Sequence, residues 1–265
     1  MLKKFVIFLL CIVTLAMYST IADSIQVAIA TEYAPSSPNQ IFIPPPPPMP
    51  VQLEERVIDP LKPMIALTFD DGPHRRHTLR IVETFEAYGG RATFFVLGRA
   101  LEDNAELIKR MGRNGFEVVG HTWHHVNLTN MSEEEIARET IETHSAIEAL
   151  IGSIPHIFRP PFGAQNATVR RVAKELGFAI IYWSVDSWDW YVRNADMVAY
   201  KVLRDVSDGD IVVLHDPHPT TAAAMEQVVP ELIARGYQLV TVSELLYHRG
   251  VVPEAGVVYR YAPPR

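Results

Sequence analysis

Short apolar runs alternate with longer amphipathic stretches from Leu61 to about residue 249. The short runs predict buried strands, and the stretches with a period near 3.6 residues predict helices. Strands are predicted at Met64–Phe69, Ala92–Val96, Phe116–Gly120, Ile157–Phe158, Phe178–Val185, Asp210–Leu214 and Gln238–Val240. Helices are predicted at Leu79–Tyr88, Leu101–Met111, Ser132–Leu150, Ala167–Leu176, Ala195–Val206, Met225–Ala234 and from Ser243 onward.

This alternation of strands and helices predicts a parallel α/β fold with a single core. No glycine-rich fingerprint follows the first strand, which argues against a dinucleotide-binding fold. A closed or nearly closed barrel is therefore expected. Residues 250–265 show no clear pattern, and we expect them to form a weakly ordered C-terminal tail.

The N-terminus carries the features of a secretory signal. Lys3 and Lys4 precede the apolar run Phe5–Met17, and Ala28-Ile29-Ala30 offers a small-residue cleavage site. We expect residues 1–30 to be a cleaved signal peptide and the protein to be secreted. An uncleaved N-terminal anchor, tethering the protein to a membrane, is the alternative.

Residues 31–60 are rich in proline, with five consecutive prolines at Pro44–Pro48. Such a run adopts polyproline II and cannot join a sheet. We interpret this segment as a stiff linker, and a partner's proline-binding groove is the alternative.

Composition narrows the chemistry further. Cys11, the only cysteine, lies inside the predicted signal, so the mature chain has no disulfide and no thiol ligand. A metal ion would have to be held by His, Asp or Glu. The formal charge of -7 argues against a nucleic-acid partner.

Polar side chains follow the ends of several predicted strands. Asp70 and Asp71 end the first strand, and His121 and His125 follow the third. Imidazoles four residues apart would lie on one face of a helical turn, a spacing suited to a metal ion, and one carboxylate would complete the set. The alternatives are a turn with a helix cap for the acids and ordinary hydrogen-bonded histidines.

Three further segments carry candidate chemistry. Arg159 precedes two prolines on stiff backbone, so we expect it to orient a carboxylate bidentately. Asp186 follows the fifth strand beside Trp188 and Trp190, whose rings suggest the wall of a sugar-binding groove. His215 ends the sixth strand and is a candidate general acid or base.

In this order, the five segments resemble the five motifs of the polysaccharide deacetylases, carbohydrate esterase family four, between Pro63 and Leu246. The resemblance implies a distorted (β/α)₇ barrel, with residues 61–249 as a single catalytic domain. It also implies that Asp71, His121 and His125 bind one divalent metal ion, usually Zn²⁺, with Co²⁺, Ni²⁺ or Mn²⁺ as alternatives. His124 falls at a variable position and is not counted as a ligand.

The resemblance also implies roles for the remaining residues. Asp70 matches the general base, His215 the general acid, Arg159 the group that orients Asp70, and Asp186 the partner of His215. Substrate-binding positions match Phe162, Trp190 and Leu214: the backbone N–H near Phe162 as an oxyanion donor, and the other two as apolar walls of the acetate pocket.

The function implied is metal-dependent N-deacetylation of N-acetylglucosamine residues in a polysaccharide. We expect peptidoglycan as the substrate, with chitin oligomers as the next choice. Removal of O-acetyl groups from xylan by the same site is a close alternative. Two alternatives from other classes are a non-catalytic carbohydrate-binding relative and a structural metal site, which would need a fourth protein ligand.

Overall fold

The computed structural model describes residues 56–263 apart from residue 153. The predicted signal peptide and most of the proline-rich linker lie outside the described residues. Within the described part, no helix is both long and apolar enough to cross a membrane.

Nine strands in the described part form one sheet, and neighbouring strands run parallel. Six of the seven predicted strands are present, with their ends shifted by at most one residue. The strands are β1 (Met64–Asp70), β2 (Thr93–Val96), β3 (Glu117–Gly120), β4 (Ile157–Phe158), β5 (Ala179–Ile181), β6 (Val185–Asp186), β7 (Ile211–His215), β8 (Gln238–Leu239) and β9 (Val258–Tyr259).

The sheet has the strand order of a curled, barrel-like structure. The order reads β6-β7-β1-β2-β3-β4-β5-β9, with β8 also paired to β1. Strands β5 and β6 follow each other closely along the chain, yet β5 pairs with β4 and β6 pairs with β7. One short segment therefore links the two sides of the sheet, which confirms the expected distorted barrel.

The prediction of one continuous strand over Phe178–Val185 is wrong, because the strand breaks between β5 and β6. The carbonyl oxygens of Ile181 and Tyr182 accept hydrogen bonds from the Arg159 side chain. Because these two carbonyl oxygens accept from the Arg159 side chain, they do not pair with a neighbouring strand in the described part. The chain changes its strand partner at this point, from β4 to β7.

Helices cover the strands as predicted, and apolar side chains fill the space between the two layers. Ser132 and Glu135 form the capping box expected at the start of the longest helix. The helices are α1 (His77–Ala87), α2 (Ala105–Arg113), α3 (Glu133–Ile151), α4 (Ala167–Glu175), α5 (Asp189–Val192), α6 (Ala195–Asp205), α7 (Pro219–Ala234) and α8 (Val242–His248).

The prediction of a weakly ordered C-terminal tail is also wrong. Strand β9 pairs with β5, and Tyr261 forms a bridge with Asp210 just before β7. Ala262 is fully buried, and its N–H donates to the carbonyl oxygen of Gly209 at 2.8 Å. The segment satisfies backbone groups at the exposed edge of β5, which explains why it is ordered without a strong hydrophobic pattern.

Candidate active site

The two adjacent carboxylates at the end of β1 serve different partners. Asp70 still belongs to the strand and is 3% exposed, whereas Asp71 adopts the left-handed backbone conformation with φ of 74°. This turn sends the two side chains in different directions. Asp70 contacts Arg159, and Asp71 contacts two imidazoles.

Asp71, His121 and His125 converge on one point. The Oδ1 atom of Asp71 lies 3.0 Å from Nε2 of His125 and 3.4 Å from Nε2 of His121. One ligand atom from each residue lies within 4.8 Å of the other two. The sequence prediction of these three residues as neighbours is thus reproduced by the geometry.

The chemistry of these atoms fits a divalent cation. Oδ1 of Asp71 is buried and makes no hydrogen bond of ordinary geometry, although both imidazole nitrogens are close. His121 donates from Nδ1 to the carbonyl oxygen of Arg159 at 2.7 Å, which leaves the lone pair of Nε2 free. Three converging lone pairs are what a cation requires.

The charge of Asp71 also suits a metal ligand. Burial raises its pKa, but the close approach of the His121 and His125 imidazoles to the carboxylate outweighs burial and holds the pKa below its ordinary value. The carboxylate is therefore ionised throughout the neutral range.

The two histidines meet through an irregular turn, so the predicted helical turn is wrong. Thr122 and His125 both have positive φ angles, 66° and 60°. The buried carboxylate of Glu139, on α3, holds this turn by accepting from the backbone N–H groups of Trp123 and His124 at 2.8 and 2.9 Å. Glu139 was not predicted as a site residue, and its only signal in the sequence is an acid on the buried face of a predicted helix.

His124 points away from the candidate metal site. Its Nδ1 lies 2.6 Å from Oε1 of Glu139, and its side chain is 59% exposed. The structure thus agrees with leaving His124 out of the ligand set.

Arg159 is fully buried and links several strands beneath the site. Its Nη1 donates to Oδ1 of Asp70 at 2.6 Å and to Oγ1 of Thr68 at 2.8 Å. Its Nε and Nη2 donate to the carbonyl oxygens of Ile181 and Tyr182. The expected bidentate contact is therefore wrong, because the guanidinium divides its donors among four acceptors.

The partner of His215 is Asp189, so the expected pairing with Asp186 is wrong. Nδ1 of His215 lies 2.8 Å from Oδ1 of Asp189, and the backbone N–H of His215 donates to Oδ2 at 2.7 Å. Trp188 has a φ of 57°, and the next residue, Asp189, is fully buried. Asp186 instead accepts from the N–H of Trp188 at 2.9 Å.

Asp189 makes His215 more basic. Burial alone lowers the pKa of His215, but the hydrogen bond and charge of Asp189 outweigh burial and raise the pKa to about 9. His215 is therefore protonated at neutral pH. With Nδ1 engaged by Asp189, Nε2 remains as the atom able to donate a proton into the site.

The three candidate metal ligands line a groove of about 550 Å³ together with Asp70 and His215. The exposed ring of Phe162 packs edge-on against His125 with 4.6 Å between centroids, and Trp190 is half exposed in the same groove. Both residues thus lie where a substrate-binding role was expected.

Leu214 does not line this groove, contrary to the prediction. It is fully buried in the core between sheet and helices. Because side chains alternate along a strand, Val213 and His215 share the opposite face, and both line the groove. Val213 is therefore the apolar wall that β7 supplies.

A curled parallel sheet that brings one carboxylate and two imidazoles together at its carboxyl edge, beside Asp70 and His215, defines the class of carbohydrate deacetylase barrels. The family model described as polysaccharide deacetylase matches residues 58–181. The chain belongs to the polysaccharide deacetylase family.

Three similar proteins illustrate the relationship. The chain is 43% identical over 181 residues to peptidoglycan-N-acetylglucosamine deacetylase PgdA of Listeria monocytogenes, over 68% of this chain and 38% of that protein. The solved structure of peptidoglycan deacetylase PdaC from Bacillus subtilis is 37% identical, with a TM-score of 0.70 over 73% of this chain and 94% of that one. A family 4 acetyl xylan esterase from Clostridium thermocellum, solved with a cobalt ion, is 32% identical, with a TM-score of 0.70 over 76% and 99%.

The similarity concerns one part of the longer relative. The aligned region takes up well under half of the Listeria protein, 38% of its length.

Proposed function

We propose that this protein is a metal-dependent N-deacetylase that removes acetyl groups from N-acetylglucosamine residues of peptidoglycan. The observation that carries the proposal is the convergence of Asp71, His121 and His125 beside Asp70 and His215. Among the described residues, the metal-binding group has three members, which leaves coordination positions open, as in catalytic sites.

One bound divalent cation would lower the pKa of water toward neutrality and polarise the acetamide carbonyl. Zn²⁺ is our choice, because two imidazoles and a carboxylate suit it well. The cobalt ion in the xylan esterase relative keeps Co²⁺ as an alternative, together with Ni²⁺ and Mn²⁺.

Asp70 would act as the general base. Arg159 holds its Oδ1, while Oδ2 lies 3.9 Å from Nε2 of His121, on the side of the candidate metal site. Oδ2 is thus placed to accept a proton from water as the water oxygen attacks the carbonyl carbon. The buried guanidinium fixes the rotamer of Asp70, so the base is oriented before substrate binds.

His215 would act as the general acid. An amine is a poor leaving group, so the nitrogen must be protonated as the C–N bond breaks. The protonated Nε2 of His215 supplies that proton, and acetate and a free amine are the products. Asp189 stabilises the imidazolium and fixes the ring orientation. The backbone N–H near Phe162 is proposed to donate to the oxyanion.

Peptidoglycan is proposed because the Listeria and Bacillus subtilis relatives are named as peptidoglycan deacetylases. Chitin oligomers are the second choice. The xylan esterase relative supports O-deacetylation as an alternative chemistry for the same groove. Intact acid, base and ligand positions argue against a non-catalytic carbohydrate-binding protein.

Action on a cell-wall polymer requires export. The signal predicted at residues 1–30 would provide it, with cleavage favoured over an uncleaved membrane tether, and the proline-rich residues after it would act as a spacer.

Acetate release by the zinc-loaded full chain tests the proposal. Peptidoglycan, chitin oligomers and acetylated xylan would be compared, each with a chelator control. We expect chelator-sensitive release from peptidoglycan, and a loss of about 10²–10⁴-fold in Asp70→Asn with metal retained. Release from xylan alone would make the protein an esterase, and no release with zinc bound would favour the binding-protein alternative.

A further inference from the structure

The groove contains an arginine that the proposed reaction does not use. Arg193 follows α5, the helix that supplies Asp189 and Trp190, and lies beside His218 in the loop after β7. His218 is close to the general acid, since its ring centroid lies 6.0 Å from that of His215. Arg193 therefore sits one side chain away from the reacting groups.

The contacts of Arg193 hold it in place without neutralising its charge. Nε donates to the carbonyl oxygen of Trp190 at 2.7 Å, and Nη1 donates to Nδ1 of His218 at 2.5 Å. Burial, followed by the nearby guanidinium, lowers the pKa of His218, so His218 is a neutral acceptor. The two acceptors together contribute no negative charge.

Several surface arginines in the described part are neutralised by a carboxylate within salt-bridge distance. Examples are Arg80 with Glu226, Arg171 with Glu133, Arg204 with Asp205 and Arg235 with Glu231. Between residues 56 and 263, no such contact joins Arg193 to an acid.

The acids of the groove are engaged by other groups. Asp70 accepts from Arg159, Asp71 faces two imidazoles, and Asp186 accepts from the N–H of Trp188. The guanidinium of Arg193 therefore keeps free N–H donors and an uncompensated charge at the groove. A planar guanidinium in this state matches a carboxylate better than a neutral sugar hydroxyl.

We infer that Arg193, positioned by His218, forms a subsite for a carboxylate carried by the saccharide next to the one being deacetylated. The inference rests on the proposed function and narrows its substrate to an acidic glycan. In peptidoglycan the carboxylate has two sources: the lactyl ether of the sugar in stem-free strands, or the attached peptide.

The test compares kcat/KM for glycan fragments of equal sugar length. One set carries the lactyl carboxylate without a peptide, a second carries the peptide, and a third has its carboxylates converted to amides. For the zinc-loaded full chain, we expect kcat/KM for the acidic fragment from one of the two sources to be about five- to tenfold higher than kcat/KM for the corresponding amide. This preference should fall at high salt.

In Arg193→Gln, the ratio of acidic to amidated kcat/KM should fall to about one, and in Arg193→Lys it should fall part of the way. Arg235→Gln removes the same charge outside the groove and should leave the ratio unchanged. A general structural loss would lower both rates without changing their ratio. A ratio near one in the unaltered protein, or an unchanged ratio in Arg193→Gln, would overturn the inference.

The same data separate this inference from the proposed function. Deacetylation of amidated and acidic fragments at equal rates would keep the N-deacetylase and remove the carboxylate subsite. No release from any fragment would contradict the proposed function itself.

Discussion

At the scale of single residues, the site depends on which of two nearby acids reaches His215. Asp186 and Asp189 both follow the fifth predicted strand, and the sequence offers no period that separates them. The left-handed conformation of Trp188 precedes the buried Asp189. The backbone conformation of one residue, Trp188, thus determines which carboxylate contacts His215, the proposed general acid.

We predict that Asp189→Asn lowers kcat/KM on amide substrates by about 10- to 100-fold, as loss of an orienting partner typically does. Asp189 raises the pKa of His215 to about 9, and the acid must be protonated to donate. The alkaline limb of the pH–rate profile should therefore move to lower pH in the variant.

Asp186→Asn is the matched control and should change kcat/KM by less than about threefold, since the Asp186 carboxylate accepts from the backbone N–H of Trp188 and not from His215. If the alkaline limb of the pH–rate profile stays in place in Asp189→Asn, or moves in Asp186→Asn, then Asp186 and not Asp189 is the carboxylate that supports His215.

At the scale of elements, Arg159 joins three strands. It follows β4, binds Asp70 and Thr68 on β1, and donates to carbonyl oxygens at the end of β5. The guanidinium thus holds both the strand break and Asp70, the proposed general base.

Arg159→Ala should reduce the free energy of unfolding by about 3–5 kcal/mol, because a buried carboxylate and two buried carbonyls lose their donor. Urea denaturation of the metal-free protein measures this loss.

Arg171→Ala removes a solvent-exposed pair with Glu133 and should change the free energy of unfolding far less than Arg159→Ala does, because water and salt screen such pairs. A loss below about 1 kcal/mol for Arg159→Ala would show that Arg159 does not hold the strands together.

Element boundaries show what the sequence could predict. Buried strands and capped helices carry local signals in the sequence. The prediction of β1 is therefore within one residue of the observed strand, and the predicted capping box at Ser132 is present. The alternation of side chains along β7 would also have predicted that Val213, two residues before His215, faces the groove. The break after β5 and the turn at His121–His125 were not predictable locally, because distant side chains, Arg159 and Glu139, hold them.

At the scale of the whole molecule, the C-terminal segment is part of the barrel. The N–H groups of Ile180 and Tyr182 donate to carbonyl oxygens of Val257 and Tyr259, at 2.9 and 2.7 Å. This pairing could not be predicted from the sequence, because backbone hydrogen bonds to an open strand edge require no hydrophobic pattern.

Truncation after Arg249 should therefore destabilise the protein by about 3 kcal/mol, at roughly 0.5–1.5 kcal/mol for each backbone hydrogen bond lost. Thermal and urea unfolding would measure the effect. Val252→Ser, at a position 80% exposed in the same segment, should change stability by less than about 0.5 kcal/mol. If the truncated chain is as stable as the full chain, the C-terminal segment does not stabilise the barrel.

The central claim is that one metal ion, held by Asp71, His121 and His125, is required for N-deacetylation. The most direct test titrates metal-free protein with zinc while acetate release from peptidoglycan is followed. Activity should rise in proportion to zinc and stop at one ion per chain. Asp71→Ala should not bind zinc and should not regain acetate release when zinc is added. His124→Ala, the control, should bind zinc. Full activity without metal, or zinc-dependent activity in Asp71→Ala equal to that of the unaltered protein, would contradict the claim.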